Sequence, residues 1–196
     1  EFEKKIMKGS LRREIKNKRN ELSEGEIREK SKLIKEKLFS LPEFKSAHTI
    51  TFYVSIKKYR EVDTEEMIKE ALKLGKRVLV PIVDPLEKKL VFSELRKFED
   101  LVPSTFDILE PMPELRKILP ASATRFVVVP GVVFDSEGHR IGQGEGYYDR
   151  FLSSLSRYIT KVGLAFELQI VERIPKEDHD MKLDKIITEE RVIECK

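Results

Sequence analysis

One stretch of the sequence, from Arg140 to Leu152, combines backbone freedom with charged side chains. Gly142, Gly144 and Gly146 alternate in it with other residues. Because glycine has no Cβ, its backbone takes left-handed dihedrals at little cost, so successive N–H groups can turn towards one anion. A helical pattern opens near Tyr147 and would add unpaired N–H groups and a positive dipole end. The stretch therefore predicts a phosphate-binding loop that leads into a helix.

The charged residues of this loop point to the same chemistry. Arg140 and Arg150 bracket the glycines with positive charge. Asp149 falls in the first helical turn, where a carboxylate is favoured and can also hold a metal that bridges phosphate oxygens. The spacing excludes the dinucleotide fingerprint G-x-G-x-x-G and the Walker A loop. A glycine-rich surface turn without a ligand stays open as an alternative at this point.

Length, composition and charge restrict the class of protein. A chain of 196 residues fits a single domain, residues 1–196, with a core that needs neither disulfides nor metal. The formal charge of +3, from 38 basic and 35 acidic residues, does not by itself argue for nucleic acid. The single cysteine, Cys195, and the lack of a long apolar run or leader favour a cytoplasmic protein without a membrane partner. We expect a monomer. Abundant Lys and Glu with only four Asn and Gln residues suggest a thermophilic source.

Hydrophobic periodicity predicts alternating helices and strands. Helices are expected over Glu3 to Asn20, from a Ser23/Glu26 capping box to Pro42, from an Asp63/Glu66 capping box to Gly75, after the glycine loop, and over Gln169 to Pro175. Strands are expected at His48–Val54, Arg77–Pro81, Lys89–Leu95, Phe126–Pro130, Ile159–Phe166, Lys185–Ile187 and Arg191–Ile193. The stretch from Arg96 to Ser122 is interpreted as irregular. This order predicts a three-layer α/β domain whose sheet is mainly parallel, with helices on both faces and a few antiparallel edge strands.

The glycine loop resembles the signature of 5-formyltetrahydrofolate cyclo-ligases, also called methenyltetrahydrofolate synthetases, which reads R-[LI]-G-x-G-x-G-[YF]-Y-D-R. Two earlier segments resemble the same family in the right order. Lys8-Gly-Ser-Leu-Arg12 is similar to its K-x-x-[LI]-R helix, and Glu61-Val-Asp-Thr64 to its E-[IV]-[DE]-T segment. The resemblance implies an enzyme that uses ATP and Mg²⁺ to close 5-formyltetrahydrofolate into 5,10-methenyltetrahydrofolate.

The resemblance also implies roles for individual residues. The ATP-binding residues would be Lys8, Arg12, Arg140, Ile141, Gly142, Gln143, Gly144, Glu145, Gly146, Tyr147 and Tyr148. Asp149 and Asp180 would hold the metal, and Arg140 and Asp149 would be catalytic. Glu61, Val54 and Tyr147 would bind the folate. Asp184 is a weaker metal candidate, because an acid at the start of a strand is explained by the turn.

Packing or solvation is the alternative for several of these residues. Lys8 and Arg12 lie four apart on one face of a basic helix, whose other bases we interpret as solvated. Glu61 could be an exposed loop acid, and the rings of Tyr148 and Phe151 could simply pack in the core. Since a carboxylate would repel phosphate, we expect Glu145, where relatives often have Lys or Gly, to point to solvent. His179, next to Asp180, is interpreted as structural.

Two other functions fit parts of the sequence. Another nucleotide-dependent kinase or ligase could use the same scaffold, because a fold does not fix a substrate. A non-catalytic RNA-binding module could use the basic first helix. That helix has almost no aromatic residues and the chain has no Trp, which disfavours RNA.

Overall fold

The computed structural model describes residues 1–178 and 180–196. Its helices are α1 (Phe2–Asn20), α2 (Glu24–Ser40), α3 (Pro42–Ser46), α4 (Glu65–Lys73) and α5 (Tyr147–Ser153). Its strands are β1 (Thr49–Thr51), β2 (Arg77–Asp84), β3 (Lys89–Leu95), β4 (Leu101–Pro103), β5 (Leu109–Pro111), β6 (Ile118–Leu119), β7 (Phe126–Val129), β8 (Val133–Asp135), β9 (Arg140–Ile141), β10 (Thr160–Leu164), β11 (Ile170–Val171), β12 (Lys185–Ile187) and β13 (Val192–Glu194). Within these ranges, no helix is both long and apolar enough to cross a membrane.

The largest sheet has the strand order β13-β12-β10-β7-β1-β2-β3-β6. Strands β12, β10, β7, β1 and β2 run parallel, whereas β13, β3 and β6 are antiparallel to their neighbours. The prediction of a mainly parallel sheet with antiparallel strands towards its edges is confirmed. The chain builds outward from β1 to β6 on one side and then returns to β7 on the other side of β1. The order therefore reverses between β1 and β7, which is a topological switch point.

Side chains alternate between the two faces of this sheet, as the pleat of a strand requires. Phe126 and Val128 pack in one core cluster with apolar residues of α2, α3 and α4. Val127 and Val129 point the other way and pack in a second cluster with residues of α5. The prediction of helices on both faces is confirmed. Helices cover both faces of β7, and this burial on both sides explains its continuous apolar run.

The first helix packs outside this sheet. Ile15 of α1 is buried in a third cluster with Val132, Val133, Ile141 and Ile174. Strands β8 and β9, which pair antiparallel, carry two of those partners, Val133 and Ile141. Because β9 leads directly into the glycine loop, this packing places α1 beside that loop.

The segment between β3 and β7 was wrongly predicted to lack regular structure. It contains the β4-β5 hairpin and strand β6, which pairs with β3. Each of these strands is only two or three residues long. A strand this short leaves no periodic pattern in the sequence, because its pairing partner rather than its own residues defines it.

Three local predictions also need correction. The residues after Gln169 form strand β11 rather than a helix, and β1 is shorter than predicted. The predicted capping box at the start of α4 does not form, because the helix begins at Glu65 and Glu66 is one position too early to reach back. Asp63 instead accepts the Glu65 N–H at 2.9 Å. The capping box of α2 is present as predicted.

Candidate active site

A cavity of about 410 Å³ opens at the carboxyl ends of the two central strands. Tyr53 and Val54, just after β1, line it together with Pro130 and Gly131, just after β7. Since the strand order reverses between β1 and β7, the loops that leave these strands diverge and create a crevice. The position is the one at which open α/β sheets usually bind ligands.

The glycine loop forms one wall of this cavity. Gly144 and Gly146 have φ values of +112° and +74°, so the predicted left-handed backbone is confirmed at these two positions. Gly142 needs the absence of a side chain for another reason, because a Cβ there would lie 2.7 Å from Arg140 Nη2. Glu145 is exposed, as predicted. The lining residues from this segment are Arg140, Gly142, Gln143, Gly144, Glu145, Gly146, Tyr147, Tyr148 and Asp149.

Ile141 is the member of the loop whose side chain turns away from the cavity. It is 3% exposed and packs in the cluster around Ile15. Its contribution is therefore to anchor the start of the loop against α1.

Arg140 and Asp149 are held together in the wall. The Arg140 side chain is 6% exposed, and its Nη1 donates to Asp149 Oδ1 at 2.8 Å. Its Nε donates to the Pro130 carbonyl oxygen at 3.0 Å. Burial lowers the pKa of Arg140 below its ordinary value, and the Asp149 carboxylate opposes this shift. Two acceptors thus fix the plane of a guanidinium that lines the cavity.

A buried carboxylate stabilises the turn that carries Arg140 into the loop. Asp135 is fully buried, and its Oδ1 accepts the backbone N–H groups of Glu137 and His139, each at 3.1 Å. Its Oδ2 accepts the Ile174 N–H at 2.9 Å. The predicted turn is confirmed, and Asp135 also ties it to the chain segment after β11.

Helix α1 brings the predicted phosphate ligands to the same side. Arg12 Nε donates to the Gly142 carbonyl oxygen at 2.9 Å, so this residue contacts the glycine loop directly. Lys8 lies one turn earlier, with its Nζ 3.9 Å from Glu177 Oε1. Lys4 Nζ donates to the Lys176 carbonyl oxygen at 3.1 Å. Helix α1 therefore contacts both the glycine loop and residues 176 and 177.

The two predicted metal ligands differ in their surroundings. The Asp149 side chain is 69% exposed beside the loop, whereas Asp180 accepts the Glu177 N–H at 2.7 Å within a turn. No hydrogen bond joins these two acids in the part of the chain that the structure describes. His179 lies outside the described residues. Asp184 accepts the Lys161 N–H at 2.7 Å, which supports its interpretation as a structural acid.

The carboxylate beside the glycine loop fits a Mg²⁺ ion that is bound together with the phosphates of a nucleotide. Over residues 1–178 and 180–196, no group of three or more His, Cys, Asp or Glu side chains is arranged to hold a metal. Mg²⁺ is usually held by one or two carboxylates together with the phosphates of a substrate. The accessible oxygen of Asp149 beside the glycine loop meets that requirement.

Glu61 also lines the cavity. It is half-buried, and its Oε2 accepts the Ile56 N–H at 2.7 Å. Burial raises the pKa of Glu61 to about 7, although the Ile56 N–H and the charge of Arg19 act to lower it. The alternative of an exposed loop acid is therefore wrong. Val54, the other predicted folate contact from this part of the chain, is buried and also lines the cavity.

Two tyrosines of the wall stand near Glu61. Tyr53 Oη donates to the Val62 carbonyl oxygen at 2.9 Å. Tyr148 Oη is buried and has no hydrogen-bond partner among the residues described. The Tyr148 ring packs edge-on against Phe151, with 6.2 Å between ring centroids. The ring of Tyr148 therefore packs against the core, as expected, while its hydroxyl lies buried beside the cavity that the residue lines.

The sequence of this chain matches the 5-formyltetrahydrofolate cyclo-ligase family over residues 4–189. The chain belongs to this cyclo-ligase family. A relative named 5-formyltetrahydrofolate cyclo-ligase from Escherichia coli strain K12 is 32% identical over 182 residues, which are 92% of this chain and 99% of the relative. The resemblance found in the three sequence motifs is thereby confirmed.

Solved structures of the cyclo-ligase family share the fold. The NMR structure of a 5,10-methenyltetrahydrofolate synthetase from Aquifex aeolicus has a TM-score of 0.84 and 35% identity, covering 96% of this chain and 92% of the other. A 5,10-methenyltetrahydrofolate synthetase from Mycoplasma pneumoniae has a TM-score of 0.75 and 27% identity, covering 93% and 98%. The cavity thus lies in a fold that this chain shares with the two solved 5,10-methenyltetrahydrofolate synthetases.

The sequence did not indicate that the segment between β3 and β7 contributes residues to the cavity. Phe106 and Ile108 line it, and both belong to the segment that was expected to be irregular. Phe106 and Asp107 have φ values of +59° and +61°, which non-glycine residues rarely adopt. An ion pair between Lys58 and Asp107 ties this loop to the turn after β1. No glycine marks the loop in the sequence, so its backbone conformation left no signal there.

We expect the free energy of unfolding of Glu61→Gln, relative to that of the wild type, to be higher at pH 8 than at pH 5. Burial raises the pKa of Glu61 from 4.5 to about 7, so the folded state keeps a proton that the unfolded state has already lost. The free energy of unfolding of the wild type therefore falls as the pH rises from 4.5 to about 7 and then levels off, whereas glutamine has no such dependence. Urea unfolding of both proteins between pH 5 and 8 measures this difference. A difference that does not change with pH would contradict it.

Proposed function

We propose that this protein closes 5-formyltetrahydrofolate into 5,10-methenyltetrahydrofolate, with ATP and Mg²⁺, and releases ADP and phosphate. The observation that carries the proposal is the convergence of three distant motifs on one cavity. Arg12 contacts the glycine loop, and that loop and Glu61 both line the cavity. Membership of the cyclo-ligase family supports the same reaction. Location in the cytoplasm, a monomeric state and a thermophilic source stay predictions.

The proposed reaction converts a poor leaving group into a good one. The formyl oxygen attacks the γ-phosphorus of ATP and ADP leaves. The second nitrogen of the folate then attacks the activated carbon and loses its proton, and the C–O bond breaks to release phosphate. Such chemistry needs substrate positioning and charge stabilisation more than covalent help from the protein. Mg²⁺, when bound, would neutralise negative charge on the phosphates, with Asp149 and Asp180 as its proposed ligands.

The residues around the cavity have distinct proposed roles. Arg140 presents a guanidinium that Pro130 and Asp149 orient, as required for stabilising charge that develops on a transferred phosphoryl group. Lys8, Arg12 and the glycine loop would bind the ATP phosphates. Glu61, Val54 and Tyr147 would bind the folate, with the carboxylate accepting N–H groups from its ring.

Arg12→Ala is expected to weaken ATP binding by about tenfold to a hundredfold, because a charge-assisted hydrogen bond contributes roughly 1.5–3 kcal/mol. The loss for Lys8→Ala should be smaller, since Lys8 Nζ lies 3.9 Å from Glu177 Oε1 and, among the described residues, makes no hydrogen bond to the loop. Folate affinity should change little in either variant. Lys18→Ala is the matched control, because Lys18 lies on the same helix, is exposed and pairs with Glu14. Titration calorimetry with each ligand separates the two affinities, and equal losses for both would point to a damaged fold.

The decisive experiment is an absorbance assay for the methenyl product, using purified protein, 5-formyltetrahydrofolate, ATP and Mg²⁺. Product that requires all three additions would support the proposal. ATP hydrolysis on addition of another small molecule, with no methenyl product, would favour a different kinase or ligase. A folded protein that makes no methenyl product under any of these conditions would overturn the assignment.

A further inference from the structure

The proposed function gives no role to Arg150, which contacts the glycine loop from outside the cavity. Its Nη2 donates to the Glu145 carbonyl oxygen at 3.1 Å, and its Nε donates to the Lys88 carbonyl oxygen at 2.9 Å. The guanidinium also lies over the Tyr147 ring, 5.2 Å from the ring centroid. One side chain on α5 therefore joins the middle of the glycine loop to the turn between β2 and β3.

Gly146 leaves the space that this guanidinium occupies. A Cβ on Gly146 would lie 2.8 Å from Arg150 Nη1, which is closer than Cβ atoms approach other atoms in proteins. The φ value of +74° also disfavours a residue with a side chain at this position. A side chain at position 146 would therefore displace Arg150 from the loop.

The hydrogen bond from Arg150 fixes the direction of one peptide unit in the loop. The described part of the chain has no cis peptide bond, and in a planar trans unit the N–H group points away from the carbonyl oxygen. The Glu145 carbonyl oxygen is bound to Arg150, so the N–H of Gly146 points away from the guanidinium. Gly146 itself lines the cavity.

Arg12 has the same effect at the start of the loop. Its Nε donates to the Gly142 carbonyl oxygen at 2.9 Å, so the N–H of Gln143 points away from Arg12. Over the described residues, no N–H group from residue 143 to residue 146 donates a hydrogen bond within the protein. Phosphate oxygens are repelled by carbonyl oxygens and attracted by N–H groups. A loop with two carbonyl groups held by arginines and four free N–H groups is therefore preorganised for an anion.

We infer that Arg150 is a positioning residue of the glycine loop, which holds the Glu145 carbonyl oxygen and so keeps the Gly146 N–H free for the phosphates of a nucleotide. The inference rests on the proposed function only for the identity of the ligand. The contact between Arg150 and the loop is a property of the protein alone. Arg150 is not among the residues that line the cavity, so it acts through the loop backbone rather than by contact with phosphate.

The first test needs no ligand. Backbone ¹⁵N relaxation is measured for the wild type, Arg150→Met, Arg150→Lys and the exposed control Arg157→Met. The order parameter of Gly146 should be about 0.85 in the wild type and in Arg157→Met, and should fall below about 0.6 in Arg150→Met. Arg150→Lys should also lose rigidity, because a compact ammonium lacks the fork of donors that reaches two carbonyl groups. An unchanged order parameter in folded Arg150→Met would overturn the inference, and Arg150→Gln serves the same purpose if the Met variant does not fold.

The second test titrates inorganic tripolyphosphate and, separately, ATP into the protein by calorimetry without folate. Arg150→Met should weaken both ligands by the same factor, about fivefold to tenfold, comparable to losing one hydrogen bond. The factors should be equal because both ligands present phosphates to the loop. Arg150→Lys should lose nearly as much, since it keeps the charge and not the geometry, whereas Arg157→Met should stay within about twofold of the wild type. Arg150→Lys with wild-type affinity and a rigid loop would overturn the inference, because charge alone would then suffice.

The outcomes separate the two proposals. A wild-type protein that binds tripolyphosphate, weakened as expected in Arg150→Met, but forms no methenyl product would refute the proposed function and support the inference. A folded Arg150→Met variant that binds tripolyphosphate as tightly as the wild type would overturn the inference, even if the wild type makes the methenyl product. A wild-type protein that binds neither tripolyphosphate nor ATP would overturn both.

Discussion

Replacing Arg140 by lysine is expected to lower turnover in the proposed reaction by about two to three decades, the usual effect of removing one group aimed at developing charge. The substitution keeps the positive charge but loses the planar arrangement of donors. The guanidinium donates to Pro130 and to Asp149 from different N–H groups. An ammonium on a shorter and more flexible chain cannot serve both acceptors and a phosphate in one fixed geometry.

The measurement is the initial rate of methenyl formation at saturating ATP and folate, with the two Michaelis constants determined separately. Arg157→Lys is the matched control, because Arg157 is exposed and donates to the neighbouring Tyr158 hydroxyl. Circular dichroism verifies the fold of both variants. Turnover of Arg140→Lys close to the wild-type value would show that charge alone suffices at this position.

Asp149→Asn is expected to reduce turnover by a similar factor, about two to three decades, with partial rescue as Mg²⁺ is raised. The carboxylate has two proposed functions. It offers an anionic oxygen to the metal, and it neutralises the buried guanidinium of Arg140 at 2.8 Å. Its side chain is 69% exposed, so the fold should lose little stability. The loss should therefore appear in catalysis.

A magnesium titration separates the two functions of Asp149. Loss of a metal ligand raises the Mg²⁺ concentration for half-maximal rate, whereas loss of the Arg140 partner lowers the rate at every Mg²⁺ concentration. Asp180→Asn should show the first effect, and the double variant should lose less than the sum of the two, because both acids act on one ion. Asp178→Asn, an exposed acid two residues before Asp180, is the control. A fully active Asp149→Asn enzyme at low Mg²⁺ would mean that the metal is bound elsewhere.

The sequence by itself determined those features that depend on neighbours within one turn or one strand. The capping box of Ser23 and Glu26, the left-handed backbone at Gly144 and Gly146, and the helix that begins at Tyr147 were predicted correctly. Each follows from a local steric or hydrogen-bonding rule. The buried central strand at β7 was also predicted, because an apolar run is explained only by cover on both faces.

The tertiary structure alone decided which of the predicted groups meet. The sequence could not show that Arg140 pairs with Asp149, or that Gly142 lacks a side chain because Arg140 approaches it. It wrongly placed Arg19, which is 2% exposed, among the solvated bases of α1, because a helical period shows which residues share a face and not what that face covers. The location of the cavity depends on the reversal of strand order between β1 and β7, which is a property of chain topology. Long-range packing sets these features, so their physical causes lie in residues far apart in the sequence.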